Sequence, residues 1–197
     1  MRILVIGATG TIGKAIVDAL SPRHEVVPVS RSHTPITVDL AQVASIRAMY
    51  QAARSVDAVV SAAGLAKFGP LATLTDDDMD FTLANKLMGQ VNLVRFGFDH
   101  VRDGGSFVLT SGILARSPMP GSAAVSLVNA GLEGFARAAA LEAPRGIRVN
   151  VVSPPWVKET LVALKMDPAQ GLPARVVAQK YVAALEGTMN GAVIEVA

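Results

Sequence analysis

Short runs of β-branched residues alternate with longer stretches of helical periodicity along the chain. Arg2–Ala8 (RILVIGA) reads as a buried strand, and Thr11–Leu20 as a helix closed by Ser21 and Pro22. Glu25–Arg31 is a second strand, in which Pro28 is expected to remove one ladder hydrogen bond. Ile36–Asp39 is a short third strand, Val43–Ala53 a helix and Asp57–Gly64 a fourth strand. Thr75 then caps a helical stretch that opens on Asp76, Asp77 and Asp78, acids well placed against the helix dipole, and runs to about His100, as one helix or two. Gly105–Gly112 is a fifth strand, Ser122–Leu141 a helix, Arg148–Pro154 a sixth strand, Ala174–Leu185 a helix and Ala192–Val196 the last strand. Strands spaced by helices predict parallel βαβ units, and continuously apolar strands predict a sheet covered on both faces. The fold class is therefore α/β: a doubly wound parallel sheet of about seven strands with helices on both faces. The irregular stretches Leu65–Leu74, Ile113–Gly121 and Pro155–Pro173 all follow strand carboxyl ends, the side on which such sheets bind ligands.

The 197 residues suit one domain, 1–197. With 51% hydrophobic and 17% charged residues the chain is too apolar for disorder. A net charge of +2 without basic runs leaves nucleic acid no electrostatic footprint. The absence of cysteine excludes disulfides and thiolate chemistry, and His24, His33 and His100 have no metal-ligand spacing, so no metal is expected. No apolar run reaches the roughly 20 residues of a membrane span, and the chain enters its first strand with no leader pattern. A cytoplasmic protein meeting neither membrane nor nucleic acid is expected.

The chemistry begins at Gly7-Ala8-Thr9-Gly10-Thr11-Ile12-Gly13, between the first strand and the first helix. Glycine lets backbone approach a pyrophosphate, and the helix N-terminus offers free N–H groups and the positive dipole end. The alternative is a glycine turn that only packs the helix. A dinucleotide site of this Rossmann type takes Asp or Glu at the second strand's end for NAD, or Arg for the 2′-phosphate of NADP. Here the tip reads Ser30-Arg31-Ser32-His33 with no acid, which predicts NADP(H), held by Arg31 and the serine hydroxyls; otherwise Arg31 is a solvated surface charge.

With these residues in place, the whole chain resembles the short-chain dehydrogenase/reductase family. Asp39-Leu40 looks like the family's Asp–hydrophobic pair beside the adenine, and Ser61-Ala62-Ala63-Gly64 is similar to its Asn-Asn-Ala-Gly segment. Leu109-Thr110-Ser111-Gly112 looks like the strand end that carries the catalytic serine, and Arg148-Val149-Asn150 with Ser153-Pro154 is similar to the strand whose loop holds the nicotinamide amide. The resemblance implies cofactor contacts from Gly7, Thr9, Gly10, Thr11, Ile12, Gly13, Ser30, Arg31, Ser32, Asp39, Leu40, Ala62, Ala63, Gly64, Asn129, Pro154 and Val157.

The departures bear on the chemistry. The glycine spacing is that of the family's atypical and extended members. The family's Tyr-x-x-x-Lys falls on Val125 and Asn129, and its serine falls on Gly112 with Ser111 beside it. Valine has no proton to give, and Asn129 can bond the nicotinamide ribose but carries no charge. The only tyrosines, Tyr50 and Tyr181, lie outside the expected site. Aligned on Gly89, the family's Asn-x-x-Gly helix pattern puts Lys86 where a residue normally orders the relay water; Asn85 is the other register. A lysine buried beside a cofactor becomes a usable acid or base; otherwise Lys86 binds an anionic group or reaches solvent. Ser111 either orients a carbonyl or caps the backbone. Lys67 and Arg116 either meet an acidic substrate or are solvated, and Trp156 is pocket wall or core.

Phe81–Phe98 is apolar almost all round, so a subunit partner is expected to cover one side, giving a homodimer or homotetramer. Two functions fit. One is an NADP(H)-dependent oxidoreductase moving hydride between NADPH and a carbonyl or alcohol substrate, with Ser111, Lys86 or water handling the proton. The other is a non-catalytic NADP(H)-binding redox sensor or regulator.

Overall fold

Seven strands form one parallel sheet: β1 (Arg2–Ile6), β2 (Glu25–Ser30), β3 (Ile36–Thr37), β4 (Val56–Ser61), β5 (Val101–Thr110), β6 (Arg148–Ser153) and β7 (Val193–Glu195). Their order is β3-β2-β1-β4-β5-β6-β7, so the chain's direction of winding reverses between β1 and β4. This is the Rossmann-type sheet predicted. The computed structural model describes residues 1–196; Ala197, the end of the expected 1–197 domain, lies outside the described residues.

Alternate faces of the strands are covered by different helices. Helices α2 (Val43–Ala53), α4 (Gly89–Gly97) and α5 (Ala123–Glu142) bury Tyr50, Leu93 and Leu132 with Leu4, Phe107 and Leu109 on one face. On the other, α1 (Thr11–Leu20) and α7 (Ala174–Glu186) bury Ile16, Leu20 and Tyr181 with Ile3, Val5 and Val108. The strand centres are almost wholly removed from water, which is why they read as unbroken apolar runs. Among the described residues no helix is long and apolar enough to cross a membrane.

Pro28 corrects one expectation. The carbonyl of Val29 accepts from Gly7 and Ala8 on the β1 side, and that of Ser30 accepts from Val38 on the other. Backbone groups alternate along a strand, so Pro28 faces away from β1, and β3 pairs only from Val29 onwards. The missing N–H therefore costs no ladder bond.

The helical stretch after Thr75 is broken in a way periodicity did not reveal. Thr75 caps α3 (Asp76–Thr82) in a reciprocal capping box with Asp78. A π-helical turn over Leu83–Met88 then separates α3 from α4. Such turns widen a helix locally and concentrate at functional sites. A short helix within the expected irregular stretch, α6 (Lys158–Ala163), also went unforeseen.

Candidate active site

Two adjoining clefts open at the carboxyl ends of the strands and share Ala62, Ala63 and Gly64, which leave β4 at the switch point. The first, about 280 Å³, is bounded by Gly7, Thr9, Gly10, Ser30, Arg31, Asp39 and Leu40, with Leu65 and Asn85. The second, about 230 Å³, is bounded by Ile12, Lys86, Ser111, Gly112, Asn129, Pro154, Trp156, Val157 and Thr160 among others. Trp156 is thus cleft wall.

The first cleft is built largely by backbone. Gly7 has φ of +83°, and a Cβ there would lie 2.7 Å from the Ala62 carbonyl oxygen. A Cβ on Gly13 would run into the carbonyl of Gly7, so Gly13 serves the packing of α1 on the turn and lines neither cleft. Thr11 and Ser32 are exposed and also lie outside both walls. Ser30 reaches the wall, but its hydroxyl is bonded within its own turn, to Ser32 O and to Thr34 Oγ1. Arg31 is 73% exposed and pairs with Asp39 at 3.3 Å, a solvent-screened contact of little strength.

In the second cleft the end of β5 is fixed from three sides. Where β4 has left the sheet, the buried amide of Gln90 takes over the ladder, accepting from Thr110 N and donating to Thr110 O, both at 2.9 Å. Ser111 N donates to Val152 O on β6. The Ser111 hydroxyl, read from sequence as either orienting a carbonyl or capping the backbone, donates to Glu133 Oε1 at 3.0 Å. Glu133 is buried on α5 and also receives Arg116 Nη1 at 2.7 Å, while Arg116 Nη2 donates to Ser153 Oγ at 3.1 Å. Arg116 further meets Glu195 at 3.3 Å, and Lys67 pairs with Asp78 at 3.2 Å. Glu133 was missed from sequence. A signal existed: it lies four residues after Asn129, on the same face of a helix otherwise poor in charge.

Lys86 stands in the π turn with Nζ 3.5 Å from the Ser111 carbonyl oxygen. Gly64 lets it in: a Cβ on Gly64, whose φ is +135°, would come within 3.2 Å of Lys86 Cα. Burial lowers the Lys86 pKa to about 8, because the charged ammonium loses hydration. Asn85, the other register, is structural, its Oδ1 accepting from Leu65 N at 2.7 Å. Asn129, 2% exposed on the cleft wall, has its Oδ1 without a hydrogen-bond partner among the described residues. A buried orphan acceptor is rare and marks a place where a donor belongs. Val125 lies one turn before it, half-buried. A Cβ on Gly112 would sit 3.1 Å from Asn129 Nδ2. Both tyrosines are distant in function: Tyr50 donates to Leu93 O and Tyr181 bonds Thr110 Oγ1, each at 2.6 Å, and burial raises the pKa of both.

Residues 11–188 match the family model described as enoyl-(acyl carrier protein) reductase. The chain belongs to the short-chain dehydrogenase/reductase family. It is similar throughout to the protein lin1944 from Listeria innocua, with 39% identity, a TM-score of 0.96 and 100% of both chains covered. A small-chain dehydrogenase solved in complex with NADPH is 25% identical, with a TM-score of 0.88 over 100% of this chain and 96% of that one. Among curated proteins, hydroxynaphthalene reductase arp2 of Aspergillus fumigatus is 32% identical over 68% of this chain and 50% of its own length. The chain thus spans about half the length of that relative. Membership makes the protein one of a family of oxidoreductases, and Val125 and Asn129 sit on the helix that borders the second cleft.

Proposed function

We propose that the protein is an NADP(H)-dependent oxidoreductase that acts on a carbonyl or alcohol, with Lys86 as the proton donor and acceptor. The observation that carries this reading is that Lys86 and Asn129, whose buried Oδ1 has no partner among the described residues, line one cleft. Relative to the family pattern a lysine and an asparagine have changed places: Lys86 stands at the asparagine position of one helix and Asn129 at the lysine position of the next.

The residues fit a dinucleotide. Gly7 and Gly10 leave backbone bare at the N-terminus of α1, and the Asn129 acceptor suits a ribose hydroxyl. Arg31 can exchange its exposed contact with Asp39 for a bidentate grip on a 2′-phosphate. Ser30, Thr9, Ile12, Asp39, Leu40, Pro154 and Val157 complete the proposed lining, with Thr11 and Ser32 exposed outside it. When bound, the cofactor supplies or takes the hydride. Lys86, protonated below pH about 8, gives its proton to the carbonyl oxygen as negative charge builds there, and takes it back in the reverse direction. The Ser111 carbonyl holds the ammonium in line, and Glu133 holds Ser111.

The regulatory alternative draws on one observation: Val125 offers no proton and the Ser111 hydroxyl is already given to Glu133. Calorimetric titration with NADPH and NADH, followed by NADPH consumption over a carbonyl panel with Lys86→Met as control, separates the two. Turnover lost in K86M supports the enzyme, and tight NADPH binding without turnover supports the sensor. The proposed homodimer or homotetramer would cover Met88 beside α4 and Leu127 on α5, 39% and 50% exposed; a monomeric mass by light scattering would refute it. Cytoplasmic residence is proposed with it.

A further inference from the structure

Lys86 differs from the five other lysines in what surrounds its amine. Lys14, Lys67, Lys158 and Lys165 are exposed, Lys180 is half-buried on α7, and Lys67 pairs with Asp78 at 3.2 Å. Among the described residues no carboxylate lines the Lys86 cleft, and Nζ makes no ion pair. The titratable and charged groups behind the wall are turned to other partners. Glu133 Oε1 accepts from Ser111 Oγ and Arg116 Nη1, and its Oε2 lies 4.0 Å from Arg137. Tyr181 is bonded to Thr110 Oγ1 at 2.6 Å.

The one hydrogen bond from Nζ among the described residues goes to the Ser111 carbonyl oxygen, at 3.5 Å. A carbonyl accepts a single N–H, so the lone pair of the neutral amine stays unengaged. The stem is fixed by packing: a Cβ on Gly64 would lie only 3.1 Å from Lys86 Cγ. The wall around it is mostly apolar and withholds the water that would solvate an ammonium. An amine held this way is a nucleophile as well as an acid. Burial brings its pKa down to about 8, so on the order of a tenth of the molecules carry the free amine at pH 7. A lysine at the ordinary 10.5 has on the order of a thousandth or less.

We infer that this cleft is a covalent capture site for small aldehydes, with Lys86 Nζ as the nucleophile. The Nζ lone pair attacks the carbonyl carbon and forms the C–N bond. The carbonyl π pair moves to oxygen, which takes a proton from nitrogen. The C–O bond of this carbinolamine then breaks, and the oxygen leaves as water with the second nitrogen proton. The nitrogen pair closes the C=N bond of an imine, and addition of water reverses the sequence without any oxidant or reductant. Capture needs the cleft and the amine but no bound cofactor, and so goes beyond the oxidoreductase reading. Where that reading holds, an aldehyde bound as imine occupies the proton donor and inhibits reduction reversibly.

Cofactor-free protein at pH 7 would be incubated with benzaldehyde and sodium cyanoborohydride, which reduces an imine to a stable benzylamine. Peptide mass mapping then identifies the modified lysines. Lys86 should take the benzyl group at least about tenfold faster than any of the other five, and Lys86→Met should lose that fast phase. Acetylacetone, which condenses with amines to a near-ultraviolet chromophore, gives the pH profile without a reductant. The rate at Lys86 should rise with pH and level off above about 8, while the slow labelling of exposed lysines keeps rising. Labelling spread evenly over the six lysines, a fast phase that survives in K86M, or a rate with no plateau near pH 8 would each overturn the inference. Trapping at Lys86 in a protein that binds no NADPH by calorimetry would sink the reductase reading and leave the capture site standing. NADPH-dependent turnover lost in K86M, with no trapping at Lys86, would do the reverse.

Discussion

The two clefts sit side by side on one sheet and are made of different materials. The one at the glycine turn is formed by backbone: N–H groups at the start of α1, carbonyls packed against Gly7, and bare Cα atoms. The one at Lys86 is formed by side chains reaching in from three elements: the π turn, the end of β5 and α5. Backbone offers the same donors and acceptors whatever residues surround it, so the first cleft is expected to tolerate side-chain substitution. Side-chain chemistry has no such tolerance, because a single change of residue can remove the group that carries the proton. Lys86, Gly112 and Asn129 stand together on the wall of the second cleft.

The sharpest way to break the contrast is at Gly7. Gly7→Val forces a β-branched residue to φ of +83° and its Cβ onto the Ala62 carbonyl. NADPH affinity should fall by on the order of 100-fold or more in calorimetry, equivalent to about 3 kcal/mol. The side-chain replacement Leu40→Met on the same wall should alter binding only slightly. If G7V binds normally, the backbone account of the first cleft is wrong.

Lys86→Met tests the other side. Turnover should drop by about 100-fold with NADPH affinity within twofold, as expected for loss of a proton donor. In the unaltered protein carbonyl reduction should decline as pH rises through about 8, where Lys86 loses its proton, and the variant's residual rate should lack that inflection. Stability moves the opposite way. Burial disfavours the charged amine, so the folded protein releases this proton near pH 8 and the unfolded chain near the ordinary lysine value of 10.5. Between those values the unfolded state binds more protons and stability rises with pH. K86M should therefore be the more stable protein at pH 7, by on the order of 1 kcal/mol in urea unfolding, with the advantage shrinking above pH 8.

Glu133→Ala should cost about 3 kcal/mol in urea unfolding, because it leaves the half-buried Arg116 with only the exposed Glu195 as an ionic partner and the Ser111 hydroxyl without its acceptor. The double variant Glu133→Ala/Arg116→Met should recover part of that loss, since the unpaired charge goes with it. An E133A protein as stable as the parent would mean the carboxylate does not organise the end of β5.

The smallest effect is expected at Arg31, the side chain proposed to grip the 2′-phosphate of NADP(H). Arg31→Ala should weaken NADPH by about tenfold, the worth of a charge-assisted hydrogen bond or two. NADH binding should stay unchanged. Equal losses for both would move the selectivity elsewhere on the wall.

Most of the fold was legible because each element carries a local reason for itself: strand faces buried on both sides read as apolar runs, and Thr75 with Asp78 announces a helix start. The glycine turn was legible for the same reason, since its seven residues are consecutive and adopt their shape largely by themselves. The π turn was not, because nothing in Leu83–Met88 departs from helical periodicity. Its setting involves distant neighbours: Asn85 held by Leu65 N, Gly89 pressed to Leu40 and Gly64 pressed to Lys86.

The sequence by itself determined the order of the strands and of most helices, the glycine turn, the Arg31 tip without an acid, and the presence of valine at 125 and asparagine at 129. Each is a matter of which residue stands at which number, or of interactions within a few residues. Only the tertiary structure decided that Ser111 gives its hydroxyl to Glu133, that Asn129 keeps a buried oxygen unpartnered, and that Pro28 faces an open edge. Those depend on residues from different elements meeting, with hydrogen-bond geometry that changes over a few tenths of an ångström, and sequence spacing carries no information at that scale.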